Sequence, residues 1–327
     1  MLGDGEAVMA GSRGPRAARI VEVCTRDGLQ NVERVVPTRT KLDIIERSIA
    51  AGVRRFEVTS FVDPRRVPQM ADGEAVVAGL PDRKDVSYIG LCLNEKGVTR
   101  AAALRAGGRR GVDEVGCVLV ATDALGQRNQ GQTVEEGLVA VGRMMRRARA
   151  EGMVSQVTIG AAFGCPFEGR VPAGRVVELA VRLAEDGPFE VALADTIGVA
   201  VPAQVRDLVG ALAEALPRGI GLRMHFHDTR NTGVANVQAA WDAGVSCFDA
   251  SLGGLGGCPF APRATGNVAT EDLAYLFGRS GVPCGLDLAA TLAAARWMSE
   301  TFSLPLPSRV SQAGDFLPTM PTLGAGA

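Results

Sequence analysis

Leu222-Arg223-Met224-His225-Phe226-His227-Asp228 is the stretch on which the reading of this chain turns: a strand-like run that ends in the only two histidines present. Side chains on a strand alternate between faces, so His225 and His227 project the same way and can share one ligand. Neutral imidazole is a common ligand of divalent metals, and two of them at i and i+2 supply half of a coordination shell without rearrangement. The plain alternative is a strand end whose imidazoles bond only to backbone.

Outward from that run, apolar β-type segments alternate with amphipathic helical segments from Arg19 onward, the pattern of βαβ units and a parallel sheet. Eight strands are expected, at 20–24, 55–59, 86–92, 114–120, 155–160, 190–194, 222–227 and 247–251. Helical periodicity marks 40–51, 134–151, 175–185, 205–216 and 233–243, and Gly52, Gly152, Gly187 and Gly244 stand where left-handed caps would close helices. Eight units of roughly 30 residues close most simply into an α/β fold of the (β/α)8 TIM-barrel type. An open doubly wound sheet competes, but no GxGxxG follows the first strand, where a dinucleotide fold would place it. The expected organisation is a disordered extension over 1–18, a catalytic barrel over 19–308 with additional C-terminal helices, and a loose tail over 309–327.

Hydrophobic residues at 46% and charged residues at 22% are the balance of a soluble globular protein able to bury a sizeable core. A net charge of -1 argues against nucleic acid as a partner, which would need clustered basic surface. Only Lys41, Lys84 and Lys96 are lysines and the other basic residues are arginine, a bias in keeping with a bacterial, GC-rich coding sequence. The seven cysteines are scattered without zinc-type CxxC pairs and read as thiols of a reducing compartment. No apolar run approaches the ~18 residues of a membrane span, and the first 18 residues carry Asp4, Glu6 and several arginines without an apolar signal region. A cytoplasmic enzyme is the default expectation.

In a barrel, the loops at the carboxyl ends of the strands build the active site, and the polar residues here obey that rule. Strand one is followed by Thr25-Arg26-Asp27-Gly28-Leu29-Gln30-Asn31, strand two holds Glu57 before Thr59-Ser60, strand six ends in Ala194-Asp195-Thr196, and strand seven ends in the histidines. After strand eight comes Gly253-Gly254-Leu255-Gly256-Gly257-Cys258-Pro259, a glycine-dense loop able to fold over a ligand and open again, with Gly266-Asn267 before the next helix. Asp27, His225, His227 and Asn267 together offer two imidazoles, a carboxylate and an amide oxygen, a mixed set that favours Mg²⁺ or Mn²⁺ over structural zinc. Taken singly, Asp27 could equally be a turn former before Gly28, and Asn267 a helix cap.

Arg26 can hold a carboxylate or a developing oxyanion through paired donors, or simply pair with Glu57 or Asp195. Glu57 and Asp195 are expected to point into the mouth, where they would fix Arg26, tune the metal ligands or move a proton directly. Gln30 and Thr196 on the same rim are expected, with Arg26, to touch substrate. Cys258, in a loop that can close over the mouth, is a candidate to give or take a proton at carbon, against the alternative of a small residue filling a turn. Cys165, in Gly164-Cys165-Pro166, reads as packing near substrate.

Beyond these readings, Thr25 to Asn31, Glu57-Val58-Thr59-Ser60-Phe61, Val67-Pro68-Gln69-Met70, Gly164-Cys165-Pro166-Phe167-Glu168-Gly169, Asp195-Thr196-Ile197-Gly198, His225-Phe226-His227-Asp228-Thr229, the GGCPFAP loop around Cys258, and Gly266-Asn267-Val268-Ala269-Thr270-Glu271-Asp272 resemble the hydroxymethylglutaryl-CoA lyase family. The resemblance runs from about Arg19 to Leu288. RDGxQ and HxH alone would reach only the wider metal-dependent group that includes isopropylmalate and homocitrate synthases; the GGCPFAP loop narrows it to lyases. The resemblance implies a TIM barrel, with Asp27, His225, His227 and Asn267 as metal ligands, Arg26 as oxyanion stabiliser and Cys258 as loop acid/base. It matches Glu57 and Asp195 to positions that support catalysis. It further implies retro-Claisen cleavage of 3-hydroxy-3-methylglutaryl-CoA to acetyl-CoA and acetoacetate, as in leucine degradation, by a homodimer that needs no redox cofactor. His225 is also a candidate for proton transfer, limited if its free nitrogen is bound to metal.

Thr229-Arg230-Asn231-Thr232-Gly233 and the apolar Ile89-Gly90-Leu91-Cys92-Leu93-Asn94 depart from the family pattern, which leaves citramalyl-CoA or another branched 3-hydroxyacyl-CoA open as substrate. A condensing synthase would need more chain after the barrel for a regulatory domain, and an idle binding scaffold should have lost part of the ligand set.

Overall fold

Eight parallel strands close on themselves: β1 (Arg19–Glu22), β2 (Arg55–Ser60), β3 (Ser87–Cys92), β4 (Glu114–Val120), β5 (Val154–Gly160), β6 (Glu190–Asp195), β7 (Gly221–Phe226) and β8 (Cys247–Ala250), in sequential order with β8 returning to β1. The computed structural model describes residues 16–258 and 261–316. Residues 1–15 of the extension expected over 1–18 and residues 317–327 of the tail expected over 309–327 lie outside the described residues, as do Pro259, Phe260 and the side chain of Cys258.

Around the strands stand α1 (Thr38–Ala50), α2 (Gly73–Ala78), α3 (Glu95–Ala103), α4 (Asp123–Asn129), α5 (Val134–Ala150), α6 (Ala173–Ala184), α7 (Pro202–Ala215), α8 (Gly233–Asp242) and α9 (Thr270–Arg279), followed by α10 (Leu288–Phe302) and α11 (Arg309–Ala313). The chemistry of α6 shows why such segments are helical. Val176, Leu179, Ala180 and Leu183 recur at helical spacing and are buried, the two leucines each contributing about 2 kcal/mol of apolar burial. Helix α5 opens on a capping box in which Thr133 and Glu136 satisfy each other's backbone amides. Gly52, Gly152, Gly187 and Gly244 all have positive φ, as expected of left-handed caps. Among the described residues no helix is long and apolar enough to cross a membrane.

Strand parity divides the core in two. Met224 and Phe226 of β7 turn outward into the main apolar cluster between barrel and helices. Arg223 and His225 turn inward, where Arg55, Glu114 and Glu190 also lie beside a small apolar group of Val21, Val23, Ile89 and Cys247. The barrel lumen is therefore filled largely by paired charges.

Two expectations change. Within the glycine-dense loop, Gly257–Cys258 (β9) pairs antiparallel with Ala261–Thr265 (β10), so a short ribbon stands where only a loop was expected. The segment after Ser308 starts as α11, capped by the Ser308 hydroxyl, which donates to Asp272 while Ser311 Oγ donates to Glu271 at 2.5 Å. Those side-chain bonds tie the first turn past the barrel to α9.

Candidate active site

Directly after β1 the chain makes one π-helical turn, Cys24–Gly28, with the amides of Arg26, Asp27 and Gly28 all donating to Val23 O. Such turns re-aim side chains and are frequent at functional sites. Here the turn carries Arg26 and Asp27 to the carboxyl-end mouth of the barrel. Strand β7 brings His225 and His227 up from the lumen, both buried, with ring centroids 5.1 Å apart. Past β7, His227 forms an antiparallel bridge with Asn267, held by Asp228 N to Gly266 O at 3.1 Å and Val268 N to Phe226 O at 3.1 Å. Glycine is required at two points of this crossing. A Cβ on Gly266 would lie 2.2 Å from Gly254 O, and one on Gly256 would lie 2.2 Å from Asn267 Nδ2, each at positive φ.

The result is one cluster. Asp27 Oδ2 lies 3.9 Å from His225 Nε2 and 3.8 Å from His227 Nε2, and the donor atoms of the three residues all fall within 4.8 Å of one another. Asn267 joins through Nδ2, which donates to Asp27 Oδ2 and to Leu255 O, both at 2.9 Å. Among the described residues, its Oδ1 and the Nδ1 of His227 are buried without a hydrogen-bond partner. A carboxylate, two imidazoles and an amide oxygen lacking a partner are the donor chemistry that a divalent cation such as Mg²⁺ or Mn²⁺ would satisfy.

The electrostatics favour positive charge at this cluster. Burial alone would push the Asp27 carboxyl up, but the Arg26 charge, a His227 bond and both imidazoles hold it well below the usual carboxylate range. Burial likewise works against a charged His225, yet its bond to Asp249 and the charge of Asp27 leave it raised. Arg26 donates from Nη1 to Asp27 Oδ1 at 2.5 Å and from Nε to Glu57 Oε1, so of the two alternative ion pairs the one with Glu57 forms and the one with Asp195 does not. A cavity of about 470 Å³ opens beside these groups, reached by Gln30, Glu57, Ser60, Leu91, Val120 and Thr196.

Asp195 does not point into the mouth as expected. Parity turns Ala194 toward the cavity and Asp195 away from it; the Asp195 carboxylate accepts from Val199 N at 2.9 Å and Ala200 N at 3.0 Å, closing the turn before α7. It is fully buried, and burial raises its carboxyl. Thr196 is at the cavity and accepts from Ala161 N at 2.8 Å. Cys165 does not reach the cavity lining: it accepts from Thr122 Oγ1 at 3.1 Å and from the amides of Phe167 and Glu168, stabilising its own turn. The side chain of Cys258 lies outside the described residues, while its backbone belongs to β9.

Asp249 escaped the sequence reading. In the middle of β8, it places Oδ2 3.0 Å from His225 Nδ1 and so faces the side of the ring opposite Asp27. The available signal was a carboxylate flanked by apolar Phe248 and Ala250 in a strand expected to be buried on both faces.

Fold and mouth together define a class, the (β/α)8-barrel enzymes that work through donors carried at the carboxyl ends of their strands. The particular family emerges from comparison with known proteins: this chain belongs to the HMGL-like family, whose model matches residues 17–298. The (R)-citramalyl-CoA lyase of Chloroflexus aurantiacus is 44% identical over 92% of this chain and 96% of its own length. The mitochondrial hydroxymethylglutaryl-CoA lyase of Gallus gallus is 37% identical over 91% of this chain and 98% of its own. Among solved structures, an HMG-CoA lyase from Acenitobacter baumannii in complex with coenzyme A and 3-methylmalate superposes with a TM-score of 0.87 at 35% identity, covering 93% of this chain and 97% of that one. The chain is accordingly a carbon-carbon lyase.

Proposed function

We propose that this lyase performs retro-Claisen cleavage of 3-hydroxy-3-methylglutaryl-CoA to acetyl-CoA and acetoacetate, with Mg²⁺ or Mn²⁺ held by Asp27, His225, His227 and Asn267. The observation that carries the reading is the meeting of Asp27 with both histidines beside Arg26 at the mouth of the cavity. A bound cation would supply Lewis acidity toward the hydroxyl and carboxylate oxygens of the substrate. The protein must do the rest. Transfer of the tertiary hydroxyl proton to a base, for which Asp27, Cys258 and a bound water are the candidates, drives the carbon-carbon bond to break, and its electron pair leaves with the thioester fragment as an enolate. Arg26, held by Glu57 and Asp27, presents guanidinium donors to that enolate oxygen. The enolate carbon then takes a proton, a role assigned to Cys258 by its place in the loop at the mouth. Gln30 and Thr196 line the cavity and are assigned to orient the acyl chain. Within this reading the enzyme is a cytoplasmic homodimer serving leucine degradation.

A second reading has its own support in the 44% identity to (R)-citramalyl-CoA lyase. Citramalyl-CoA has one methylene fewer between carbinol and carboxylate, and the same bond cleavage would release pyruvate with acetyl-CoA. A single methylene is worth only about 10–200-fold in a pocket, so both thioesters can react while one dominates. The test is to incubate the purified protein with Mg²⁺ and each thioester. Acetoacetate from the first substrate, abolished by a chelator, supports the main reading; pyruvate from the second with no acetoacetate moves the assignment to the sister reaction.

A further inference from the structure

Five charged side chains of alternating sign run up the barrel lumen to the underside of His225. Glu114 Oε2 lies 2.7 Å from Arg55 Nη2, and Arg55 Nη2 lies 2.9 Å from Glu190 Oε1. Glu190 Oε1 lies 3.2 Å from Arg223 Nε, and Arg223 Nη1 lies 3.3 Å from Asp249 Oδ1. The column ends where Asp249 Oδ2 meets His225 Nδ1 at 3.0 Å. Arg223 is wholly buried, with its other terminal nitrogen donating to Gln156 Oε1 at 2.8 Å; its contacts with Glu190 and Asp249 are ion pairs of opposite charge without hydrogen-bond geometry. Its placement follows from parity, since it is two residues before His225 on the same face of β7, and from the register that sets Arg223 beside Cys247 and hence His225 near Asp249.

A buried guanidinium and three buried carboxylates are costly to desolvate, and such pairs rarely add net stability over apolar residues of similar size. Fixing a geometry that apolar packing could not fix is what they can contribute instead. An imidazole has two nitrogens, and the partner of one decides which atom the other can offer. We infer that Asp249, held by Arg223, is the positioning residue that keeps the Nδ1 proton of His225 and thereby presents its bare Nε2 toward Asp27. The inference rests on the reading of His225 as a metal ligand and adds the device that prepares it. Among the described residues His227 has no such partner, because its Nδ1 is buried without a hydrogen bond. The two rings are thus prepared by different means although they share a face.

The chain has only two histidines, so ¹⁵N spectra of the full-length protein with labelled histidine contain two imidazole systems, which His227→Gln assigns. In metal-free wild type above the titration of the rings, His225 should be protonated at Nδ1 and bare at Nε2. Asp249→Asn, nearly isosteric, should shift His225 toward the other tautomer, leave the His227 signals in place, and weaken Mn²⁺ binding in calorimetry by about 10–100-fold. Arg223→Gln should do the same to a smaller degree, which provides a second reading should the first variant fold poorly. Wild type with His225 protonated at Nε2, or variants that lose thermal stability while tautomer and Mn²⁺ affinity stay as in wild type, would overturn the inference and leave the column a structural filler. Wild type with the expected tautomer but no uptake of Mn²⁺ would instead overturn the metal reading, with the hold of Asp249 on His225 established.

Discussion

Asn267 Nδ2 donates to Asp27 Oδ2 at 2.9 Å across 240 positions of sequence. The contact joins the π-turn after β1 to the segment that leads into α9, so the first and last units of the barrel meet over the mouth. Asp27 therefore has four neighbours with a stake in its position: Arg26, Asn267 and the two histidines.

Removing one donor from that set should show as lost metal affinity. His227→Ala is expected to weaken Mn²⁺ or Mg²⁺ binding by more than the ~10–100-fold typical of outer partners. Titration calorimetry checks this, and wild-type affinity would strike His227 from the ligands.

Arg26 contributes a planar fork that lysine cannot reproduce. Arg26→Lys should lower kcat by about 10²–10³-fold, the scale of one lost oxyanion donor, with a smaller change in KM. Steady-state kinetics separate the two; a rise in KM alone would make Arg26 a binding residue.

Cys258 is tested by truncation. Cys258→Ala should bind substrate nearly as wild type yet cleave it at least ~100-fold more slowly, the ordinary scale of acid/base work. Unchanged turnover would take the thiol out of the reaction.

Away from the mouth, Glu22 predicts a pH dependence of stability. It is fully buried, and burial raises it to about 7 from 4.5 even though it accepts from Thr270 Oγ1, Leu252 N and Cys24 N, with the like charge of Glu271 adding to the rise. Between those two values the folded chain holds a proton that the unfolded chain has lost. The stabilisation is thus fully present below about 4.5 and is lost as pH rises through about 7, a change on the order of 3 kcal/mol. Glu22→Gln, which keeps the acceptor oxygen and cannot ionise, should flatten that slope. Urea unfolding of both proteins at pH 5 and pH 8 measures it, and equal slopes would mean that Glu22 titrates normally.

The strands were legible because buried parallel strands are apolar runs and because their carboxyl ends switch abruptly to polar residues. Expected and observed bounds coincide for β4 at Glu114–Val120 and differ at β1, where Cys24 belongs instead to the π-turn on Val23 O. The residues proposed as metal donors were legible for the same reason, as each stands at a strand end or loop on one rim. Side-chain direction was harder. At the end of β6 a single step in parity separates Ala194, which reaches the cavity, from Asp195, which turns away from it. Asp249 and Arg223 were hidden further, since their meaning depends on register between β7 and β8 that neither strand declares alone. The ribbon of β9 and β10 and the docking of α11 on α9 are also long-range facts, set by partners rather than by local propensity.

The central claim is that Asp27, His225 and His227 grip one cation that the cleavage needs. An anomalous-scattering map from crystals grown with Mn²⁺ tests it most directly. One peak between the three donor atoms, with turnover lost when the metal is stripped and regained when it is restored, is the result expected. A crystal of active enzyme with no peak there, or with its metal held elsewhere, would contradict it.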